Sequence, residues 1–245
     1  MLGEMIEIGA SIAAFAGAAA GGYSYASLAP WSTLFGGALT APSNPVSGPR
    51  QIALTFDDGP NPRMTPQLLD LLEKNKIKAT FFLIGSYATQ QKELARRIHA
   101  AGHAIGDHTW THPNLSRTGA AKTREELSRT KDAIEQLLGA PVTLFRPPFG
   151  ARQPATFRIA RELGLTPVTW NIIGNDWKAE SSEYITARIN RQIARNDRQG
   201  NATNLVLHDG SHRAQGMDRS FTIEAVRRLI ASSTDRHFVT LDAWL

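Results

Sequence analysis

Apolar and polar positions follow a regular order along residues 50–245, in which short apolar runs alternate with amphipathic stretches. Seven runs have the length of strands: QIALTF (51–56), ATFFLI (79–84), HAIGD (103–107), VTLF (142–145), PVTWNI (167–172), NLVLH (204–208) and HFVTL (237–241). Apolar positions recur at helical spacing between them, at about 66–75, 90–101, 121–138, 153–163, 182–196 and 221–232. Strands that alternate with helices predict a parallel sheet covered by helices.

Turn and cap residues support these boundaries. Thr65 and Pro66 suit the cap and the first turn of a helix, and three glycines stand where helices should end: Gly102, Gly139 and Gly164. A chain of 245 residues, 42% of them hydrophobic, can bury one barrel-sized core. We therefore predict a single α/β domain over residues 50–245.

The first 49 residues differ from the rest in composition. Residues 8–29, IGASIAAFAGAAAGGYSYASLA, carry no charge and are long enough, at ~1.5 Å per residue, to cross a hydrocarbon layer as a helix. Glu4 and Glu7 stand where an anchor or export signal usually has Lys or Arg. We predict a membrane anchor or an uncleaved export signal, with a helix packed on the domain as the alternative. The Pro-, Gly- and Ser-rich residues that follow, up to residue 49, are predicted to be a tether.

The cysteine content and the charge of the chain limit which metal ligands and partners are possible. The chain has no cysteine, so disulfides and thiolate ligands are excluded, and any metal must be held by histidine and carboxylate. Glu4 and Glu7 are the only charged residues before residue 50, which leaves 27 basic and 20 acidic side chains beyond it, a charge of +7. This charge suits an anionic partner, and a basic solvated surface is the alternative. No nucleic-acid motif is present, so no nucleic-acid partner is predicted.

Unusual polar residues follow the predicted strands, at the end where an α/β barrel carries its catalytic loops. In chain order they are Asp57 and Asp58 after the first strand, His108 and His112 after the third, Arg146 after the fourth, Asp176 after the fifth and His208 at the end of the sixth. Their shared position indicates one active site at the carboxyl ends of the strands.

The two histidines of DHTWTHP (107–113) are four residues apart. A helical turn would bring the imidazoles of His108 and His112 to one side, as metal chelation requires. With a nearby carboxylate they form a two-histidine, one-carboxylate set that leaves positions open for water and substrate. A hydrogen-bonded loop without an ion is the alternative, and a calcium site is disfavoured because calcium prefers oxygen ligands.

Two adjacent carboxylates end the first strand. Neighbouring side chains of an extended chain point to opposite sides, so Asp57 and Asp58 can serve one site only if the chain turns. Gly59 and Pro60 are predicted to supply that turn. One carboxylate can then ligate the ion while the other faces the ion's water as a base.

Five motifs, TFDDGP, HTWTHP, RPPFG, NDW and LVLHD, resemble in sequence and order those of the polysaccharide deacetylase family, the fourth carbohydrate esterase family (NodB homology domain). The resemblance covers residues 50–245. It implies a distorted seven-stranded (β/α) barrel, similar to a TIM barrel, which the apolar helix and tether would precede. It also implies metal-dependent hydrolysis of an N-acyl amide on a sugar.

The resemblance further implies roles for individual residues. Asp57 would be the general base, and Asp58, His108 and His112 would hold a divalent ion, zinc first, with cobalt or manganese as alternatives. The other implied roles are these: Arg146 orients Asp57, the backbone N–H of Phe149 faces the oxyanion, His208 protonates the leaving amine with Asp176 as its partner, and Trp177, Val206 and Leu207 surround the acyl methyl group.

One position departs from the family pattern, and three others allow two interpretations. The family often has an Asp three residues before the Asp-Trp pair, where this chain has Ile173, which weakens the supporting role expected of that motif. Trp110, between the two histidines, lines a sugar subsite or packs against its neighbours. His212 and Arg213 are interpreted as loop residues more readily than as substrate contacts.

The expected reaction is removal of N-acetyl groups from a peptidoglycan- or chitin-like glycan in the cell envelope, by an anchored or exported protein; a cytoplasmic location and the oligomeric state are left open. The alternatives are a family member acting on a lipid-linked formamido sugar or small amide, an inactive metal-containing glycan-binding module, and a non-haem iron oxygenase. Asp57 and His208 argue against the inactive module, because binding alone requires neither a base nor an acid.

Overall fold

The computed structural model describes residues 21–42 and 50–245. Its strands are β1 (Gln51–Gly59), β2 (Thr80–Leu83), β3 (Ala104–Asp107), β4 (Leu144–Phe145), β5 (Thr166–Pro167), β6 (Ile172–Ile173), β7 (Thr203–His208) and β8 (His237–Val239). Within residues 50–245 the α-helices are α1 (Thr65–Lys74), α2 (Gly85–Gln90), α3 (Lys92–Ala100), α4 (Ala120–Leu138), α5 (Pro154–Glu162), α6 (Ser182–Arg198) and α7 (Ser220–Ala231).

The strands form one parallel sheet in the order β5-β4-β3-β2-β1-β7-β6, and β8 pairs with the first residues of β1. The two strands at the ends of this order, β5 and β6, come from the single run predicted as the fifth strand. That run pairs with β4 at its start and with β7 at its end, so one segment links the two edges of a curled half-barrel. The predicted α/β fold, a distorted barrel of seven strand segments, is confirmed, with its fifth segment split into two short strands.

Alternate residues of β1 belong to two different layers, as the twofold period of a strand requires. Ile52, Leu54 and Phe56 pack in the larger core, which includes the buried faces of the helices. Ala53 belongs to a second cluster with residues of β2 and β4 and of the C-terminal turn. Because both faces are covered, residues 52–59 are all buried, which explains why residues 52–56 are nearly all apolar instead of alternating with polar ones.

Residues 27–39 lie against the barrel. The buried Arg152 donates hydrogen bonds to the carbonyl oxygens of Ala29 (2.6 Å) and Ser32 (3.0 Å). Leu39 pairs with Val168, in the segment between β5 and β6. Part of the stretch predicted as a tether is therefore attached to the barrel, and the domain boundary at residue 50 stays a prediction.

Of the apolar stretch predicted as a helix, residues 21–28 are described and are helical. The part before residue 21 lies outside the described residues, so the anchor stays a prediction. Within residues 21–42 and 50–245, no helix has both the length and the hydropathy of a membrane span.

Candidate active site

The end of β1 directs two adjacent carboxylates toward the same histidine. Asp57 and Gly59 pair with consecutive residues of β2, so Asp58 is an extra residue in β1. Its φ of 70° is left-handed, as expected at a β-bulge. One oxygen of Asp57 lies 3.9 Å from Nε2 of His108, and one of Asp58 lies 3.4 Å from it. The bulge at Asp58 itself, rather than the Gly-Pro turn after it, thus reorients the two side chains.

The three residues predicted to hold a metal form one buried cluster. Each of Asp58, His108 and His112 offers a ligand atom within 4.8 Å of the other two. Asp58 Oδ1 is 3.0 Å from Nε2 of His112 and 3.4 Å from Nε2 of His108. The structure therefore brings together a carboxylate and two imidazoles, a set that suits a divalent transition metal.

The hydrogen bonds around this cluster fit a cation. Nδ1 of His108 lies 2.8 Å from the carbonyl oxygen of Arg146. A carbonyl oxygen can only accept, so Nδ1 of His108 carries a proton and Nε2 is the nitrogen that faces Asp58. Oδ1 of Asp58 has no hydrogen-bond donor among the described residues. A buried carboxylate oxygen that lacks a donor and faces two imidazole nitrogens is the arrangement expected where a metal ion binds.

Protonation of the cluster also suits metal binding. Burial would raise the pKa of the Asp58 carboxyl, but His108, His112 and His212 together hold that pKa well below its usual range. Burial lowers the pKa of His112, against the opposing effect of Asp58. The cluster thus offers an ionised carboxylate and a neutral imidazole, the protonation states in which these groups ligate metals.

The loop between the two histidines is not the helical turn that their spacing suggested. Thr109 and His112 have left-handed φ angles of 69° and 61°. The N–H of His112 donates to Oγ1 of Thr109 at 3.1 Å. The carboxylate of Glu126, on α4, accepts from the N–H and the hydroxyl of Thr111 at 2.8 and 2.9 Å. A loop held by side-chain hydrogen bonds therefore brings the two imidazoles together.

Arg146 lies beneath Asp57 and is completely buried. It donates to Oδ1 of Asp57 at 2.8 Å and to the hydroxyl of Thr55 at 2.6 Å. Its other terminal nitrogen donates to Oδ1 of Asn204 at 3.3 Å, and its guanidinium stacks over Phe82 at 4.2 Å. This charge-assisted bond fixes the orientation of the Asp57 carboxyl group.

His208, at the end of β7, is paired with a buried carboxylate. Its Nδ1 lies 2.9 Å from Oδ1 of Asp176, and its backbone N–H donates to Oδ2 at 2.8 Å. Thr222, on α7, also donates to Oδ2 at 2.8 Å. Burial lowers the pKa of His208, but the charge and hydrogen bond of Asp176 outweigh burial and raise that pKa to about 9. His208 is therefore protonated at neutral pH.

Backbone strain is concentrated in these loops. Among the described residues, six other than glycine have positive φ, and five of them lie in the motif loops: Asp58, Thr109, His112, Phe149 and Asn175. Such conformations cost ~1–3 kcal/mol each and persist where the surrounding structure enforces them. At this end of the sheet, tertiary contacts therefore hold the backbone of these five residues in conformations that the residues themselves disfavour.

A cavity of about 500 Å³ opens over the cluster. Eight of the residues predicted for the site line it: Asp57, Asp58, His108, His112, Phe149, Trp177, Val206 and His208. Arg146 and Asp176 lie behind Asp57 and His208, as supporting residues would. The cavity therefore brings together the Asp58–His108–His112 cluster, the carboxyl group of Asp57 and the imidazole of His208.

The two remaining predicted site residues, Leu207 and Trp110, neither line this cavity nor contact its polar groups from behind. Leu207 is fully buried in the larger core. Trp110 stacks under the guanidinium of Arg129, with 3.9 Å between the guanidinium carbon and the ring centroid, and a Cβ at Gly85 would lie 2.6 Å from its ring. The structure thus places Trp110 in packing contacts at the side of the loop between His108 and His112.

Other lining residues were not predicted from the sequence. Trp170 and Ile173 form part of the wall, and Ser211, His212, Arg213, Met217 and Arg219 come from the loop between β7 and α7. The NDW motif indicated the vicinity of Ile173, but Trp170 stands inside an apolar run and has no chemical signature. The long loop after His208 carried no pattern from which its fold over the site could be inferred.

The family model for polysaccharide deacetylases matches residues 45–168 of the chain. The chain belongs to the polysaccharide deacetylase family. The resemblance stated from the five motifs is thereby confirmed. The family is metal-dependent, and the cluster of Asp58 with two histidines could bind a metal.

Similar polysaccharide deacetylases come from several bacteria. The chain is 35% identical over 159 residues to a peptidoglycan-N-acetylglucosamine deacetylase of Bacillus cereus, covering 65% of this chain and 56% of that protein. It is 34% identical over 206 residues to a chitooligosaccharide deacetylase of Sinorhizobium fredii, covering 82% and 93% of the two chains. The structure of a peptidoglycan deacetylase from Bacillus subtilis superimposes with a TM-score of 0.68 at 31% identity, over 80% of this chain and 90% of that one.

Proposed function

We propose that this protein is a metal-dependent hydrolase that removes N-acetyl groups from an amino-sugar glycan of the peptidoglycan or chitin type. One observation carries the proposal. The Asp58–His108–His112 cluster shares a cavity with a carboxylate held by Arg146 and with an imidazole held protonated by Asp176. Amide hydrolysis requires a nucleophile, an acceptor for its proton and a donor for the leaving amine. The names of the relatives supply the substrate class.

Asp58, His108 and His112 would hold the ion, which we propose is Zn²⁺, with Co²⁺ or Mn²⁺ as substitutes. A divalent ion bound there would polarise the amide carbonyl and lower the pKa of water to ~7. Asp57, held in place by Arg146, accepts the proton of the attacking water. As the water oxygen bonds to the acyl carbon, the backbone N–H of Phe149 donates to the carbonyl oxygen.

Collapse of the tetrahedral adduct breaks the C–N bond and releases acetate and a free amine. His208 donates its proton to the amine nitrogen, and Asp176 stabilises the imidazolium before transfer. Val206, Ile173 and Trp177 form an apolar wall beside these groups. An acyl methyl group fits that wall better than a charged acyl group would, because burying a charge without a partner is costly.

The relatives that act on peptidoglycan suggest an envelope or exported location for this protein. Membrane association through residues 8–29 remains part of the proposal, as do the individual roles of the site residues. The glycan is the only partner that we propose.

Release of acetate and formate from a panel of substrates tests the function. We expect the zinc-loaded chain to release acetate from peptidoglycan or chitooligosaccharides, and Asp57→Asn to release far less with the same metal content. Removal of the metal with a chelator should abolish release, and added Zn²⁺ should restore it. Formate release without acetate would assign the protein to formamido sugars, and no release from any substrate by metal-loaded protein would contradict the proposal.

A further inference from the structure

The loop that joins β7 to α7 contacts the metal cluster through His212. The backbone N–H of His212 donates to Oδ2 of Asp58 at 3.3 Å, and its Nδ1 lies 3.6 Å from the same oxygen. Its ring stacks on His112, with 4.3 Å between centroids and 8° between planes. The edge of Phe149 packs on it at 5.3 Å. One residue from this loop thus touches two of the three proposed ligands.

The stacked geometry excludes His212 as a fourth ligand of the same ion. The lone pair of an imidazole nitrogen lies in the plane of the ring, and zinc binds in that plane at ~2.0–2.1 Å. Two nearly parallel rings stacked at 4.3 Å direct their lone pairs along separate planes. An ion in the plane of His112 would therefore be too far from the plane of His212 for a bond.

The loop holds His212 in place from several directions. The hydroxyl of Tyr87, on α2, donates to the carbonyl oxygen of His212 at 3.2 Å. Arg219 donates through Nε to the carbonyl oxygen of Gly210 at 2.8 Å. A Cβ at Gly210 would lie 2.0 Å from the carbonyl oxygen of Asp58, so only glycine permits the loop to approach β1 this closely. These contacts make the position of His212 a property of the fold rather than of a free side chain.

We propose that His212 is a positioning residue of the metal centre, which holds the ring of His112 and one oxygen of Asp58 in the orientation that receives the ion. The two oxygens of Asp58 then have separate roles. Oδ2 is held by His212, and Oδ1 remains directed at the imidazole nitrogens of His108 and His112. Loss of such supporting contacts typically lowers metal affinity ~10–100-fold.

This inference rests on the proposed metal centre, and metal binding tests it without any assay of turnover. Zn²⁺ affinity is measured for the full chain by competition with a chromophoric chelator, and ligand geometry by the d–d absorption bands of the Co²⁺-loaded protein. His212→Ala should bind Zn²⁺ ~10–100-fold more weakly and give an altered cobalt spectrum. His212→Phe keeps a ring that can stack on His112 and should restore most of both properties. His237→Ala, at an exposed histidine of β8, is the matched control.

The outcomes separate this inference from the proposed function. If His112→Ala loses the metal while His212→Ala keeps the affinity and cobalt spectrum of wild type, the ring of His212 does not position His112, which overturns the inference, and the metal centre stands. If wild type binds neither Zn²⁺ nor Co²⁺ at this site, the proposed function and this inference both fail. If His212→Ala does not fold, His212→Phe and Tyr87→Phe still decide. Wild-type affinity in His212→Phe, together with weaker binding in Tyr87→Phe, supports the stacking role, because Tyr87→Phe removes the hydroxyl that holds the carbonyl oxygen of His212. Unchanged binding in Tyr87→Phe overturns the inference.

Discussion

Replacement of Asp176 by asparagine should shift the alkaline limb of the pH–activity profile to lower pH. Asn keeps the size of Asp and can still accept a hydrogen bond, but it removes the negative charge 2.9 Å from Nδ1 of His208. That charge and its hydrogen bond are the largest of the effects that raise the pKa of His208 against burial, and Asp58 and Asp57 add smaller ones. Without the charge of Asp176, burial should bring the pKa back to about its ordinary value.

The size of the effect follows from the two pKa values. If the pKa of His208 falls from about 9 to the ordinary ~6.5, the protonated fraction falls at pH 8 from ~90% to ~3%, or ~30-fold, and at pH 6 only from ~100% to ~75%. The variant should therefore be nearly normal at pH 6 and poorly active at pH 8, because the proton donor is absent there.

The assay is kcat/KM for acetate release between pH 5.5 and 9.5, in wild type and Asp176→Asn, with zinc content measured at each end of the range. Thr222→Val, which removes only the hydroxyl bonded to Oδ2 of Asp176, is the matched control and should shift the limb far less. An NMR titration of the His208 ring reports the pKa directly. If the alkaline limb lies at the same pH in wild type and Asp176→Asn, His208 is not the acid, or Asp176 does not keep it protonated, and the reasoning is refuted.

Three further predictions concern other parts of the site. Asp57→Asn should keep the metal and lose ~10²–10⁴ in turnover, whereas Asp58→Asn should lose the metal, and elemental analysis beside kinetics would reveal reversed roles if the pattern is opposite. Arg146→Met leaves the carboxylate of Asp57 buried without its partner and should lower the free energy of unfolding by ~3–5 kcal/mol, which urea denaturation measures; a loss below ~1 kcal/mol would mean that solvent reaches that carboxylate. Deleting residues 1–20 should leave stability and activity intact, whereas deleting residues 1–49 removes the carbonyl partners of a buried arginine and should cost ~1–3 kcal/mol; equal stability of the two truncations would contradict the role given to residues 27–39.

Much of the barrel could be predicted from residue pattern alone. The runs at 51–56 and 204–208 are mostly apolar because β1 and β7 are covered on both faces. A strand buried on both faces can therefore be recognised from its apolar run alone. The motif residues were predicted to share one end of the sheet because the carboxyl ends of parallel strands do so in any α/β barrel. Asp57, His108 and His208 therefore came into one site by an argument that needs only strand order.

The details of the site were not accessible in this way. The spacing of His108 and His112 suggested a helical turn, but the loop has left-handed residues that Glu126, on another helix, keeps in place. The position of Asp58 depends on a bulge that appears only in the pairing of β1 with β2. Neither feature has a local signature, since both are maintained against the preference of the residues involved.

The sequence by itself determined which segments are buried, their order and the chemistry available at their ends, because these depend on composition and on periods of a few residues. Tertiary structure alone decided that His212 lies on a proposed metal ligand 100 residues before it, that Trp110 packs away from the cavity, and that Arg152 holds residues 29 and 32. The physical reason is that a periodic pattern records how much surface a residue buries. Which distant group it meets is set by the simultaneous packing of all the elements.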